Sequence, residues 1–240
     1  MKSTSATRRV WPALMVALAA CGGGEAALEP VEVEGLDDNA RVLELAQGMV
    51  MGNPDAPVTI VEFGDYQCPG CGQFAALVKP QIEQVYAPGD DVKFVFYDFP
   101  LVTIHPHAFL AARASRCAAE QDAYWDYHTS LFRNQSAWSR SSTAPLGLFE
   151  DYAAELGMNE GDFNSCLRSD RYADVVTANM QLGNILGVGS TPTVLVGSGG
   201  NSRPLMNNSF QGIQEAVETL LAELPGGTQD GGEDGADGGA

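Results

Sequence analysis

Basic residues are scarce in this sequence of 240 residues. It contains 13 Lys and Arg against 31 Asp and Glu, which gives a formal net charge of −18 at pH 7. Proteins that bind nucleic acids neutralise phosphates with clusters of Lys and Arg. The composition therefore argues against nucleic acid as a partner, and it disfavours acidic substrates because a negative surface repels them.

Long apolar runs are also lacking. The apolar run of residues 10–20 is shorter than the roughly twenty residues that a helix needs to span a bilayer, and no later run is long enough. Lys2, Arg8 and Arg9 give this run a positive start. Residues 1–20 are therefore predicted to be a secretory signal peptide rather than a membrane span.

The end of this signal, Leu18-Ala19-Ala20-Cys21, resembles the lipobox of bacterial lipoproteins. The resemblance implies that Cys21 is acylated and becomes the first residue of the mature protein, with ordinary cleavage after Ala19 as the alternative. Several acyl chains on one cysteine exceed the two signals that stable anchoring requires. We therefore expect a lipid anchor in the bacterial cell envelope, with the protein facing the periplasm or the cell exterior.

Thiols and imidazoles are few, with five cysteines and three histidines. Two of the cysteines form the single C-x-x-C motif, Cys68-Pro69-Gly70-Cys71. A zinc site needs four ligands but no second C-x-x-C exists, and Gly72 stands where the haem-attachment pattern requires His. We interpret the motif as a redox dithiol, with metal binding or a plain structural disulfide as alternatives, and we expect neither a cofactor nor a bound metal.

The surroundings of the motif predict a strand that turns into a helix. An apolar run, residues 58–63, precedes it, and Pro69 favours the first helical turn, so Cys68 is expected at the helix cap. Unpaired backbone N–H groups at that position favour a thiolate. The helix dipole supplies at most about 2 kcal/mol. A large fall of the Cys68 pKa therefore requires direct hydrogen bonds, the N–H of Cys71 in particular.

Glu62 lies six residues before Cys68, inside the apolar run. A segment so continuously apolar is typical of a central parallel strand, so the carboxyl group is predicted to be buried and its pKa raised. Such a group can exchange a proton with the inner thiol, Cys71, as the disulfide forms and breaks. The alternative is a solvent-facing residue that interrupts the strand.

Several segments together resemble the DsbA-type thioredoxin-fold oxidoreductases. They are Gly52-Asn53-Pro54-Asp55-Ala56-Pro57, the strand with Glu62, Phe63-Gly64-Asp65-Tyr66-Gln67-Cys68-Pro69-Gly70-Cys71 and Thr191-Pro192-Thr193. The resemblance spans residues 48–224 and implies an α/β thioredoxin fold with an inserted helical domain. It also implies that Thr191 and Pro192 form a cis-proline loop against the cysteines, with the Thr191 backbone pairing to a bound substrate strand. The best-known oxidants of the family carry His where this chain has Gly70, which leaves the strength of the oxidant open.

The resemblance divides the chain into parts. Residues 48–103 and 187–224 would form the two parts of the thioredoxin domain, and residues 104–186 the inserted helical domain. Residues 21–47 are predicted to be an acidic flexible linker, and residues 225–240 a Gly- and Asp-rich disordered tail. Neither terminal segment carries enough apolar residues to bury a core.

Local signals add expectations inside these parts. Pro80 should kink the helix that follows the motif. Gly157 can end one helix and Asn159 can cap the next. His105 and His107 lie near a predicted helix start, where we interpret them as solvated capping residues, with metal ligation as the alternative.

The remaining cysteines, Cys117 and Cys166, lie in segments that are predicted to be helical. Assignment of Cys21 to lipid leaves four cysteines, which can form two disulfides in an oxidising compartment. Neither Cys117 nor Cys166 belongs to a dithiol motif, so the pair is predicted to be a structural disulfide, with a second redox pair as the alternative.

These observations predict an extracytoplasmic thiol:disulfide oxidoreductase that oxidises substrate dithiols through a disulfide between Cys68 and Cys71. Its expected partners are cysteine-containing extracytoplasmic proteins and a membrane redox partner that recycles it. Two alternatives stay open. One is a disulfide reductase or isomerase, and the other is a non-enzymatic thioredoxin-like lipoprotein that binds Cu(I) through the soft thiolates of Cys68 and Cys71.

Overall fold

A mixed sheet of five strands lies at the centre of the computed structural model, which describes residues 27–224. The strands are β1 (Met49–Met51), β2 (Val58–Gly64), β3 (Val92–Asp98), β4 (Thr193–Ser198) and β5 (Asn201–Pro204). Their order is β1-β3-β2-β4-β5, with β2 and β3 parallel and the other neighbours antiparallel. This sheet is the one that the resemblance to the thioredoxin fold leads us to expect.

The sequence of β2 explains its central place. Ile60 and Phe63 are fully buried, and Glu62 lies in register with Phe96 on β3 and with Val194 on β4. A strand that is paired on both sides and covered on both faces is apolar along nearly its whole length. The carboxyl end of β2 therefore delivers the motif to one edge of a rigid sheet.

Helices cover the sheet, and six of them follow one another along the chain between β3 and β4. The described residues contain α1 (Asn39–Leu45), α2 (Pro69–Leu77), α3 (Lys79–Tyr86), α4 (Ala108–Ala119), α5 (Tyr124–Arg133), α6 (Gln135–Trp138), α7 (Leu146–Glu155), α8 (Glu160–Leu167), α9 (Ala173–Ile185) and α10 (Phe210–Glu223). The kink expected at Pro80 is a one-residue interruption: α2 ends at Leu77, α3 begins at Lys79, and Val78 between them keeps right-handed helical angles, with Pro80 in the first turn of α3. A proline there removes an N–H that has no partner in the helix.

The helices α4 to α9 form the insertion between β3 and β4. Large aromatic side chains fill its interior, and Trp138 and Phe149 among them are fully buried. Gly157 has a φ of 76° directly after α7, and the Asn159 side chain accepts a hydrogen bond from the N–H of Asp162 at the start of α8. The helix end and the helix cap thus lie where the sequence predicts them.

The segment before β1 differs from the expected flexible linker. In α1, Val42 is fully buried and packs with Phe63 and Leu182. Farther toward the amino terminus, the carbonyl of Ala27 accepts a hydrogen bond from Arg113 on α4. The prediction of a flexible linker is therefore wrong for residues 27–47. A few apolar side chains in this acidic segment are enough to hold it against the rest of the protein.

The predicted signal peptide, the predicted acylation site Cys21 and the predicted tail of residues 225–240 lie outside the described residues. Within the described residues the longest helix is α10, with 14 residues. None of the helices there qualifies as a membrane span.

Candidate active site

The two cysteines of the motif lie at the start of α2 and differ in exposure. Cys68 is the N-cap, with extended backbone angles of φ −71° and ψ 124°, and Pro69 begins the helix. Cys68 is 9% exposed, whereas Cys71, one turn into the helix, is fully buried. Of the two cysteines, only Cys68 therefore offers any surface to a visiting sulfur.

The surroundings of Cys68 favour its thiolate. The hydrogen bond from the Cys71 thiol is the largest of the effects that lower its pKa from 9.0 to about 5, and Thr191 and the backbone N–H groups of Cys71 and Gly70 add to it. Burial opposes these bonds. Charge-assisted hydrogen bonds at a helix start are the cause expected from the sequence, and the thiol of Cys71 contributes besides its N–H.

Cys71 is in the opposite situation. Burial raises its pKa far above the ordinary value, and the hydrogen bond to Cys68 and the negative charges of Glu62 and Cys68 act in the same direction. The N–H of Asp65 donates to Cys71 Sγ at 3.4 Å and acts weakly against this rise. In the reduced protein near neutral pH, Cys68 is thus the thiolate and Cys71 the thiol.

Glu62 on β2 is buried, with 1% of its surface exposed. Burial raises its pKa from 4.5 to about 8, the charge of Lys79 opposes this rise, and the charge of Cys68 adds to it. Its Oε1 atom has no hydrogen-bond partner in the described structure. The solvent-facing alternative is excluded, and the carboxyl group interacts electrostatically with the sulfurs of both Cys68 and Cys71.

The loop before β4 packs against the motif. The peptide bond between Thr191 and Pro192 is cis, and Cys68 Sγ lies 3.3 Å from the carbonyl oxygen of Thr191. A Cβ atom on Gly70 would lie 3.2 Å from Pro192 Cδ, which is a tight contact. On the other side, Asn208 Nδ2 donates to the carbonyl of Pro192 at 3.2 Å. The structure thus brings Thr191 and Pro192 to the cysteines.

A carboxylate that the sequence analysis did not select lies behind Cys68. Asp65 Oδ1 accepts the N–H groups of Gln67 at 2.7 Å and of Cys68 at 3.2 Å. Its Oδ2 accepts the N–H of Leu101 at 2.8 Å and lies 2.7 Å from Nδ1 of His105. The only signal in the sequence was the position of Asp65 between the strand and the motif.

The histidines correct the expectation of solvated caps. The His105 ring is 16% exposed and bonds the buried carboxylate of Asp65. His107 is the N-cap of α4, but its side chain makes no capping bond and instead contacts the carbonyl of Ser141 at 2.8 Å. Both rings bind side chains or backbone far along the chain, which local sequence does not reveal.

Two glutamines join the motif to the insertion. Gln135 Nε2 donates to the carbonyls of Tyr66 and Cys68 at 2.8 and 2.9 Å. Gln67 Oε1 accepts the N–H of His107 at 2.8 Å, and its Nε2 donates to the carbonyl of Ser139 at 2.6 Å. These four hydrogen bonds hold the turn before α2 against the insertion.

The second cysteine pair lies within the insertion. Cys117 on α4 and Cys166 on α8 form a disulfide, with their Cα atoms 5.8 Å apart. Both residues are buried. Across residues 27–224, no group of three or more His, Cys, Asp or Glu side chains is placed to hold a metal ion.

Comparisons with known proteins agree with this geometry. A family model described as Thioredoxin matches residues 44–218. Disulfide bond formation protein D of Bacillus subtilis is 33% identical over 181 residues, which are 74% of this chain and 77% of that protein. The Na(+)/H(+) antiporter NhaA 3 of Salinispora tropica is 30% identical over 189 residues, but the chain spans only 27% of its length.

Among solved structures, the crystal structure of oxidised BdbD from Bacillus subtilis superposes with a TM-score of 0.63 at 29% identity. The match covers 72% of this chain and 95% of that one. The thioredoxin fold predicted from the sequence, with its inserted helical domain, is confirmed. The chain therefore belongs to the thioredoxin family and is a DsbA-like thiol:disulfide oxidoreductase.

Proposed function

We propose that this oxidoreductase oxidises dithiols of cysteine-containing extracytoplasmic proteins through a disulfide between Cys68 and Cys71. The observation that carries the proposal is the position of Cys68 at the start of α2, where hydrogen bonds from Cys71 and from backbone N–H groups lower its pKa from 9.0 to about 5. Surroundings that stabilise the thiolate stabilise the reduced protein, so its disulfide accepts electrons readily. The name of the Bacillus relative, which refers to disulfide bond formation, supports the same direction.

The first step forms a mixed disulfide. A substrate thiolate attacks Sγ of Cys68, because Cys71 is buried, and the bond between Cys68 and Cys71 breaks. The electron pair of that bond goes to Cys71, whose pKa is raised far above the ordinary value. Glu62, with a pKa of about 8, is protonated near neutral pH and can supply the proton that Cys71 takes up, directly or through water.

The second step releases the product. Another thiolate of the substrate attacks the substrate sulfur of the mixed disulfide, and Cys68 leaves as a thiolate. A thiol of low pKa is a good leaving group. Two electrons have then passed from the substrate dithiol to the protein. A membrane redox partner must remove them before the next cycle.

The loop of Thr191 and Pro192 is proposed to hold the substrate. It lies against Cys68, so an extended substrate segment that pairs with the Thr191 backbone would bring its cysteine to the exposed sulfur.

We also propose acylation of Cys21 as the membrane anchor in the bacterial cell envelope. A lipid anchor at Cys21 would keep the exchange site near its membrane redox partner.

The direction of exchange can be tested by equilibrium with glutathione. Thioredoxin has a potential of about −270 mV and DsbA of about −120 mV. We expect the Cys68–Cys71 pair near the oxidising end, together with stoichiometric oxidation of a two-cysteine peptide by the oxidised protein. A potential near that of thioredoxin, with no oxidation of the peptide, would overturn the proposal in favour of a reductase.

A further inference from the structure

The two residues between the cysteines, Pro69 and Gly70, carry no charge. A pair of ionisable groups lies directly behind Cys68 instead. Asp65, whose side chain is completely buried, contacts the ring of His105 at 2.7 Å. This pair belongs neither to the motif nor to the loop of Thr191 and Pro192.

The Asp65 carboxylate connects the ring of His105 to Cys68. One oxygen accepts the backbone N–H of Cys68, and the other contacts Nδ1 of His105. The N–H of Leu101 also donates to the second oxygen and joins the loop that carries His105 to the same carboxylate. The position of the ring relative to Cys68 is therefore set by hydrogen bonds within the protein.

The charges in this cluster are coupled. The hydrogen bond to Asp65 is the main cause that raises the pKa of His105, burial opposes it, and the charges of Asp65 and Cys68 raise it further. Coupling between two ionisable groups is reciprocal. If the Cys68 thiolate favours the charged ring, then the charged ring favours the thiolate by the same free energy.

We propose that His105, held by Asp65, supplies the positive charge that stabilises the Cys68 thiolate, and that it takes up a proton when the disulfide is reduced. Two glutathione thiols reduce the disulfide and leave as glutathione disulfide. Of their two protons, one goes to Cys71. At a pH between the pKa values of His105 in the oxidised and reduced states, the other is taken up in part by His105 and otherwise released to solvent, while Cys68 stays a thiolate. The inference rests on thiol exchange at Cys68 and is independent of its preferred direction.

Other titratable groups surround the same sulfur. The charges of Asp65 and Cys68 both raise the pKa of His105. Glu62 and Cys71 lie deeper in the protein than Cys68, and the charge of Lys79 lowers the pKa of Glu62. The tests below therefore compare variants in which all of these groups are retained.

The first test uses the unmodified protein. The pKa of His105 is measured by NMR in the oxidised and in the reduced state, with its signal assigned by its loss in His105→Gln. We expect the pKa of His105 to be about one unit higher in the reduced state, because the thiolate charge of Cys68 is present only in that state and solvent screens it only in part. The His107 signal serves as the internal control and should be the same in the oxidised and the reduced protein at each pH. Equal values for His105 in both states would overturn the proposal.

The second test compares His105→Gln with the matched control His107→Gln. Both rings lie in the same loop, but the ring of His107 contacts the carbonyl of Ser141 instead of Asp65. In His105→Gln we expect the glutathione equilibrium to shift about tenfold toward the oxidised protein, which is about 30 mV. The apparent pKa of Cys68, measured from the pH dependence of its alkylation rate, should rise by about one unit.

In His107→Gln both quantities should stay at the wild-type value. No shift in His105→Gln, or equal shifts in the two variants, would contradict the proposal, and melting curves verify that each variant is folded. A reducing potential of the wild-type protein would refute the proposed direction of exchange. It would leave the difference between variant and wild type interpretable.

Discussion

The two cysteine pairs of this chain lie at opposite ends of helices. Cys68 caps the start of α2, and Cys71 follows one turn later. Cys117 and Cys166 instead lie in the last turns of α4 and α8. The helix dipole favours a thiolate at a helix start and disfavours it at a helix end. The helix dipole therefore stabilises a thiolate at Cys68 and disfavours one at Cys117 and Cys166.

Sequence separation and burial extend this contrast. The motif cysteines are three residues apart, and one of them is partly exposed beside a buried acid. The other pair is 49 residues apart and buried. A short ring near an accessible thiolate suits exchange, whereas a buried bond that closes a long loop suits stabilisation. The difference teaches that a cysteine's position on its helix and its neighbours decide its role.

The largest expected effect comes from removal of the accessible sulfur. Cys68→Ala should abolish oxidation of a dithiol peptide, because Cys71 is buried and cannot be attacked. Cys71→Ala keeps the nucleophile: the Cys68 thiolate should attack disulfides of substrate proteins and remain joined to them as mixed disulfides, detectable by mass spectrometry, because the Cys71 thiol that would resolve them is missing. Normal dithiol oxidation without Cys68 would refute the division of roles between the two pairs.

Removal of the other pair should affect stability instead. The double change Cys117→Ala and Cys166→Ala opens a loop closed over 49 residues, and the chain-entropy relation gives a loss of about 4 kcal/mol in the free energy of unfolding. Denaturant titration measures this loss. At a temperature where the variant is folded, peptide oxidation should proceed at the wild-type rate. A loss of activity in the folded variant would show that this pair also takes part in exchange.

Glu62→Gln should change how stability depends on pH. The unfolded carboxyl group ionises near 4.5 and the folded one near 8. Between these values the folded wild-type protein holds a proton that the unfolded chain has lost, so its stability falls as pH rises. Glutamine does not ionise, so the variant should gain on the wild type by about 3 kcal/mol between pH 4.5 and pH 7.

Denaturant titrations of the reduced proteins at several pH values measure this difference. Glu44→Gln, on the exposed surface of α1, serves as the matched control for the loss of one carboxyl group at the surface. A constant difference between Glu62→Gln and wild type over this range would mean that Glu62 is ionised in the folded protein. It could then not donate a proton to Cys71.

The smallest effect concerns the connection between the motif and the insertion. Gln135→Ala removes two hydrogen bonds to the carbonyls of Tyr66 and Cys68, and should cost about 1–2 kcal/mol of unfolding free energy. Gln81→Ala removes a bond to the carbonyl of Leu77 on an exposed helix face and should cost less than about 0.5 kcal/mol. Equal losses in the two variants would mean that the insertion does not stabilise the start of α2.

Much of the reactive pair was predictable from local sequence. The proline after Cys68 and the apolar strand before it predict a cysteine at a helix start, and the structure has Cys68 as the N-cap of α2. The burial of Glu62 followed from the continuous apolar run around it. Thr191 and Pro192 were selected through the family resemblance, since a proline before a strand carries little information alone.

Other parts of the site could not be predicted in this way. His105 and Gln135 lie 40 and 69 residues from the groups that they bond. No periodicity or spacing connects residues so far apart. The docking of α1 through Val42 was missed for a similar reason, since its acidic surroundings favour solvent and only the groove beside Phe63 and Leu182 buries it.

The sequence by itself determined the local chemistry of this protein: a dithiol at a strand-to-helix turn, an acid within an apolar strand and a helix start that favours negative charge. These features depend on backbone geometry over a few residues. Tertiary structure decided which sulfur is accessible, which carboxyl group stays protonated and which histidine lies beside the thiolate. Those properties depend on burial and on distances between charges, and only the packed chain sets them.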